Sequence, residues 1–234
     1  MNFLRGINKA VTFSFDDGNN DDIRLVKLLN KYGLKATFNL NAGKLTASDS
    51  HIYNNKEVKR NNFFETLGIY SGHEIACHGY THSRLDKMSK ATCYTEVALD
   101  KMVLSFLFNY NVRGMAYPYG AYNEDVIATF KECGIAYART VGSSYGFELP
   151  NDFYRWTPTC HVLDLSIKAI VDKFLKIPDD KPMLLYIWGH SYEFMTENDW
   201  CLFEKICEKL VNNSGGIAYL TNIEIIDSIN KLSR

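Results

Sequence analysis

Two aspartates stand side by side, Asp16 and Asp17 in "VTFSFDDG". Two histidines four apart, His78 and His82, stand in "HGYTH", and a third, His190, closes "MLLYIWGH". Adjacent carboxylates repel, and each makes the other harder to ionise unless a positive charge intervenes. A metal ion can supply that charge. The HxxxH spacing can present two imidazoles to one ion. With one aspartate they form a two-histidine, one-carboxylate set that leaves positions open for water and substrate. The other carboxylate, beside the ion but not on it, can take a proton from a bound water, whose pKa zinc lowers to about 7. The chemistry this predicts is metal-assisted hydrolysis. Each piece has an ordinary reading too. "DDG" is a favoured turn, paired histidines often cap or face solvent, and a lone buried histidine is usually a hydrogen-bonded core residue.

These residues share one kind of place. "VTFSF" alternates apolar and small polar residues, the period of a strand with one dry face, and runs into Asp16 and Asp17. "EIAC" runs into His78, "GMAY" into Pro118 and Tyr119, and "MLLYIWG" into His190. Helical patterns separate the strands. "DIRLVKLLNKYG" suits a helix stopped by Gly33, "MSKATCYTEVALDKMVLSFLF" a long helix with Ser89 as N-cap, and Asn123 caps a helix to Lys131. Further helices are expected over Lys56–Leu67, Leu165–Lys176, Asp199–Asn212 and at the C-terminus. "KATFNL", "GIAYART" and "GIAYLT" read as strands. Strands alternating with helices imply parallel pairing and an α/β fold. In a parallel barrel every strand C-terminus lies on one rim, so residues distant in sequence would gather there.

The chain has 234 residues, 46% of them hydrophobic, enough for a sizeable core. It shows no low-complexity segment or Pro/Gly-rich linker, and one domain over 1–234 is the expectation. The formal net charge of -1 offers no electrostatic footprint for nucleic acid. No apolar run approaches the roughly 20 residues of a membrane span. The first strand begins near Val11, so the chain as given reads as cytoplasmic. Six cysteines without CxxC pairing read as buried free thiols.

At these residues the sequence resembles the polysaccharide deacetylase family, also called the NodB-homology domain or carbohydrate esterase family 4. "TFSFDDG" resembles its first motif, which implies Asp16 as general base and Asp17 as metal ligand. "GHEIACHGYTH" resembles the second, adding His78 and His82 as ligands. "AYPYG" resembles the third, with Pro118 and Tyr119 walling the groove and the Tyr119 N–H holding the oxyanion. "LLYIWGH" resembles the fifth, making His190 the general acid. The resemblance covers nearly the whole chain. It implies a distorted (β/α) barrel, seven-stranded, that removes N-acetyl groups from an amino sugar such as an N-acetylglucosamine-type glycan. It also implies a divalent cation, zinc first, with cobalt, nickel, iron or manganese also suited. The expected partner is a carbohydrate or a small amide; oligomeric state is not readable.

The resemblance has gaps. Many members carry an arginine two residues before the third-motif proline, against the base; here Ala116 stands there. Arg155 in "DFYRWTP" is the candidate replacement, with Arg113 behind it. Trp156 in that segment and Trp188 are candidate groove walls, Trp188 equally a core residue. Asp152 is a candidate partner for His190, with a capping role as the alternative. His73 reads as structural, His51 as a loop residue, His161 as a rim residue, and "VLSFLF" as a buried helix face. Two rival functions stay open. One is a related metal-dependent amide hydrolase, a deformylase or cyclic-amide hydrolase. The other is a non-catalytic glycan-binding barrel.

Overall fold

The structure, a computed structural model, describes residues 6–45, 49–212 and 215–232. Strand β1 (Lys9–Asp16) leads through helix α1 (Asp22–Lys31) to β2 (Ala36–Leu40). A hairpin of β3 (Ser50–Tyr53) and β4 (Lys56–Lys59) precedes helix α2 (Phe63–Ile69). Then β5 (Glu74–Cys77), α3 (Lys90–Phe108), β6 (Gly114–Ala116), α4 (Glu124–Glu132) and β7 (Tyr137–Arg139) alternate. A short β8 (Cys160–His161) is followed by α5 (Ile167–Lys176), β9 (Met183–Gly189), α6 (Glu197–Asn212), β10 (Ile217–Tyr219) and α7 (Asn222–Leu232). Among the described residues seven strands pair in the order β7-β6-β5-β2-β1-β9-β8, all parallel, and β10 pairs with β1 off that path. The curled parallel sheet with its helices is the expected distorted (β/α) barrel. A lone parallel bridge, Arg139 to Trp156, links β7 to the segment that becomes β8.

The alternation in β1 has a different meaning from the one expected. Every residue of β1 is buried, so the strand has two dry faces. Val11, Phe13 and Phe15 face the helices, where Phe203 of α6 packs edge-on against both phenylalanines. Thr12, Ser14 and Asp16 face the barrel interior, where each polar group must find a partner. Thr12 Oγ1 donates to Asn222 Oδ1 (2.9 Å), and Asn39 Nδ2 donates to Ser14 Oγ (2.8 Å). Lower in the barrel, Glu74 accepts from Thr37, Tyr137 and the Ile223 N–H.

Three expectations fail locally. Lys56–Leu67 is not one helix. Asn54 and Asn55 both take left-handed backbone conformations, the requirement of a two-residue hairpin turn, and "HIY" and "KEV" flank it as strands. The helix begins only at Phe63, where Asn62 and Glu65 form a reciprocal capping box. "VLSFLF" is only half buried: Leu104 and Leu107 face the sheet, while Phe106 is 82% exposed. The six cysteines are free thiols, but Cys201 lies exposed on α6. No helix among the described residues is long and apolar enough to cross a membrane.

Candidate active site

Register explains the gathering of the site. Parallel pairing sets Phe15 beside Gly189, Asp16 beside Asn39, Leu40 beside Cys77, and Ala116 beside Arg139. One residue further along each strand lie Asp17, His190, Asn41, His78 and Tyr117, on one rim. Three polar residues there hold left-handed backbones that side chains other than glycine rarely adopt: Asp17 (φ 83°), His82 (φ 59°) and Tyr119 (φ 57°). Such strain persists only where surrounding contacts enforce it, and it clusters at functional sites. Gly18 is needed for packing as well as conformation. A Cβ there would lie 2.8 Å from Leu40 Cδ2.

Asp17, His78 and His82 converge. Asp17 Oδ1 lies 3.5 Å from His82 Nε2 and 3.9 Å from His78 Nε2, and one atom of each residue falls within 4.8 Å of the others. His78 Nδ1 lies 2.9 Å from the Ala116 carbonyl, which can only accept, so the ring proton sits there. Its Nε2 lone pair then faces the carboxylates, the tautomer that ligation requires. Burial holds both imidazoles below the usual histidine range, His82 at about 4, so both are neutral at pH 7. Two neutral imidazoles and one ionised carboxylate, with their donor atoms turned together, fit a divalent cation of the zinc type.

Asp16 has other company. Its Oδ2 is 3.8 Å from His78 Nε2 and 3.8 Å from His190 Nε2, and it pairs with the Arg139 guanidinium. Burial pushes the Asp16 carboxyl up, but Arg139, His78 and His190 outweigh it, and the group stays below its ordinary value. Asn39 Nδ2 fixes the other oxygen at 2.9 Å. Asp17 is likewise lowered: Arg60, then the three histidines, overcome its burial. Each of the two adjacent carboxylates therefore has its own arginine.

Arg139 corrects the assignment of Arg155. Arg155 points away, to Asp152 and Glu124 at the surface, and Arg113 pairs with Asp227. Arg139 is the in-register neighbour of Ala116, so a guanidinium on β7 fills the place of one on β6. It is fully buried, donates to the Thr140 carbonyl, and its guanidinium carbon lies 4.5 Å from the Trp188 ring centre. The signal was visible in "GIAYART", a strand ending in a charged residue on the same rim.

The partner of His190 is also corrected. Asp152 caps the Tyr154 N–H and pairs with Arg155 instead. Glu193 Oε2 lies 3.1 Å from His190 Nδ1, and it accepts from the His190 N–H (2.7 Å). It also lies 2.9 Å from His161 Nε2. His161 Nδ1 accepts from the Leu163 N–H, so the His161 proton sits on Nε2, toward Glu193. Glu193 thus serves two histidines, as acceptor toward His161 and as ion-pair partner of His190. Burial depresses His190, but Glu193, Asp16 and Asp17 more than compensate and raise it to about 9.

Trp156 is buried in the barrel interior against Tyr137, Phe153 and Tyr186, so it is core and not groove wall. Trp188 is nearly buried too, a platform under Arg139 beside His161. Pro118 is buried, whereas Tyr119 is 62% exposed with its ring 4.6 Å from that of His82. The Tyr192 ring packs on His190, His51 and Tyr53, and its hydroxyl is 3.4 Å from Asp17 Oδ2. His51 is thus more than a loop residue. His73 is structural, accepting from the Ala36 N–H.

Comparison with known proteins shows the family and the fold. A family model described as polysaccharide deacetylase matches residues 5–138. The Bacillus subtilis protein YxkH is 27% identical over 129 residues, 54% of this chain and 42% of YxkH, so the match spans less than half of that relative. A family 4 carbohydrate esterase from Streptomyces lividans, solved with acetate, superposes with a TM-score of 0.58 at 18% identity, covering 91% of this chain and 92% of that one. A family 4 pseudoenzyme from Bacillus anthracis superposes at 0.59 with 16% identity, covering 96% of this chain and 67% of that one.

Proposed function

Because the chain belongs to the polysaccharide deacetylase family, we propose that it hydrolyses the N-acetyl amide of an amino sugar, using Asp16 as base and His190 as acid beside a cation held by Asp17, His78 and His82. The observation that carries this reading is the unequal surroundings of two adjacent carboxylates. Each has its own arginine and lies within 4.0 Å of His78 and His190, but only Asp17 also meets His82, its Oδ1 3.5 Å from Nε2, whereas Asp16 Oδ2 pairs with Arg139. One carboxylate is equipped to ligate and the other to move a proton.

A divalent cation bound there would supply Lewis acidity at the acyl oxygen and make a water easier to deprotonate. The remaining steps belong to the chain. Asp16, kept ionised by Arg139 and oriented by Asn39, accepts a proton from the attacking water. The Tyr119 N–H, which donates to nothing among the described residues, is free to hold the oxyanion. Losing one such donor typically costs about 10²–10³ in rate. His190 Nε2 then protonates the departing nitrogen, which is too basic to leave as an anion, while Glu193 holds the opposite ring nitrogen.

An amino sugar suits an exposed aromatic ring at the site, Tyr119, with the half-buried Tyr53 packed on the buried Tyr192. Acetate, the molecule solved with the Streptomyces lividans esterase, is the product this reaction releases. The test is acetate release from N-acetylglucosamine oligomers by zinc- or cobalt-loaded protein, run beside formamides and cyclic amides. Acetate release that chelation abolishes is the expected outcome. Formate or ring-opened product alone would move the assignment to the small-amide hydrolases. Sugar binding with no hydrolysis of any of these amides would make the chain a binder, as the existence of a family pseudoenzyme allows.

A further inference from the structure

The β3–β4 hairpin is an addition to the strand–helix alternation, and it ends at Arg60, a buried arginine outside every motif that resembles the family's. The Arg60 side chain is 6% exposed. Its Nη2 donates to Asp17 Oδ1 (3.0 Å), and Nη1 donates to the Asp17 carbonyl and to Asn41 Oδ1 (3.1 Å). Its Nε lies 2.9 Å from Asp49 Oδ2. Asn41 in turn donates to the carbonyls of His78 and Gly79, at 2.5 and 2.6 Å. One guanidinium therefore ties together the ends of β1 and β2, the base of the hairpin and, through Asn41, the turn that carries both histidines.

We propose that Arg60 is a positioning residue for cation binding, holding Asp17 in its ligating geometry before any ion arrives. The inference rests on the proposed ligand set of Asp17, His78 and His82. Its physical basis is the conformation of Asp17. A non-glycine residue at φ 83° is strained and persists there only where surrounding contacts hold it. The Asp17 N–H is held by the Asn39 carbonyl (3.0 Å), and the Asp17 carbonyl by Arg60. The same guanidinium fixes Oδ1, the oxygen nearest both imidazoles, while Tyr192 approaches Oδ2. Asp17 is thus set to ligate through one oxygen.

An opposing effect is built into the same contact. Arg60 places a positive charge beside the ion it helps to recruit, so its removal could tighten binding if charge outweighed geometry. The planar fork of arginine serves three acceptors at once and lies against the Asp49 carboxylate, which a lysine ammonium on the same stem does not match. Lysine keeps the charge and loses the geometry; methionine loses both. The two substitutions separate the effects.

The experiment is zinc affinity by competition with a chromophoric chelator, on the wild type and on Arg60→Lys, Arg60→Met and Asp49→Asn. Both Arg60 variants are expected to bind zinc about 10–100-fold more weakly, the loss typical of a residue that orients a metal ligand. Asp49→Asn, which leaves the guanidinium in place but loosens its anchor, is expected to lose a smaller factor, and it supplies the reading if an Arg60 variant does not fold. The visible bands of the cobalt-loaded Arg60→Lys protein are expected to shift, because the Asp17 ligand moves. Zinc binding unchanged or tighter in folded Arg60 variants would overturn the proposal. A wild type that binds no zinc would remove the ligand set itself, and this inference with it.

Discussion

Glu193 Oε2 lies 3.1 Å from His190 Nδ1, on the ring edge opposite the nitrogen that faces Asp16 and Asp17. The imidazole is therefore held between carboxylates on both edges, and its two nitrogens have separate tasks. Three negative groups around one ring explain why its pKa rises to about 9 despite burial.

A pH dependence follows from that. The folded-state pKa of His190 lies above its ordinary 6.5. Its ion pairs stabilise the fold fully below pH 6.5, and the contribution disappears as pH rises through about 9. Glu193→Gln should lower the midpoint, as read from the imidazole resonances of the metal-free protein. The melting-temperature gap between wild type and variant should be larger at pH 6 than at pH 10. An unchanged midpoint would rule out Glu193 as the partner that holds the proton.

The two adjacent aspartates should fail differently. Asp17→Ala is expected to lose bound zinc and activity together. Asp16→Asn is expected to keep the ion and lose about 10²–10⁴ of turnover, the usual share of a general base. Zinc content per chain and acetate release, measured on the same preparations, distinguish the two. Full hydrolysis by both variants is the result that cannot be reconciled with the assignment.

Arg139 should matter by its shape as well as its charge. Arg139→Lys keeps a cation near Asp16 but loses the flat face on Trp188 and the second nitrogen, which donates to the Thr140 carbonyl. A misplaced base is expected to cost about 10²-fold in kcat, with little change in KM. Zinc affinity should stay close to wild type, because Asp16 is not in the proposed ligand set. Partial rescue of Arg139→Ala by added guanidinium would show that the group itself is what is missing.

Asp100 of α3 supports the histidine turn from behind. It accepts from the Ala42 N–H (2.7 Å) and the His78 N–H (2.9 Å), and burial raises its carboxyl to about 7. Asp100→Ala strands the half-buried Ala42 donor and opens a small void. The expected loss of stability is about 2–4 kcal/mol by denaturant unfolding. Arg155→Ala, which removes only surface pairs with Asp152 and Glu124, should change stability by less than about 1 kcal/mol.

Much of the candidate site is legible in the sequence, because local pattern carries it. Strand periodicity followed by Asp16, Asp17, His78 or His190 marks a strand end, and parallel α/β topology sends strand ends to one rim. Helix caps at Ser89 and Asn123 lie where the local chemistry puts them, each accepting from the expected N–H. The hairpin escapes a periodicity reading because its turn is made by "NN", two asparagines that tolerate the left-handed conformation it needs.

What the sequence determined by itself is which residues are proposed to react and the strands that carry them, since both depend on neighbours a few residues away. The partner of His190, Glu193 and not Asp152, stands only three residues away. What only the tertiary structure decided is the long-range pairing of charges: Arg139 and not Arg155 on Asp16, and Arg60 on Asp17. Those choices depend on register between strands and on the docking of a hairpin, which bring residues 43 to 123 positions apart within reach. Nothing in a linear spacing encodes such a distance. A buried carboxylate will accept whichever guanidinium the packed barrel delivers to it.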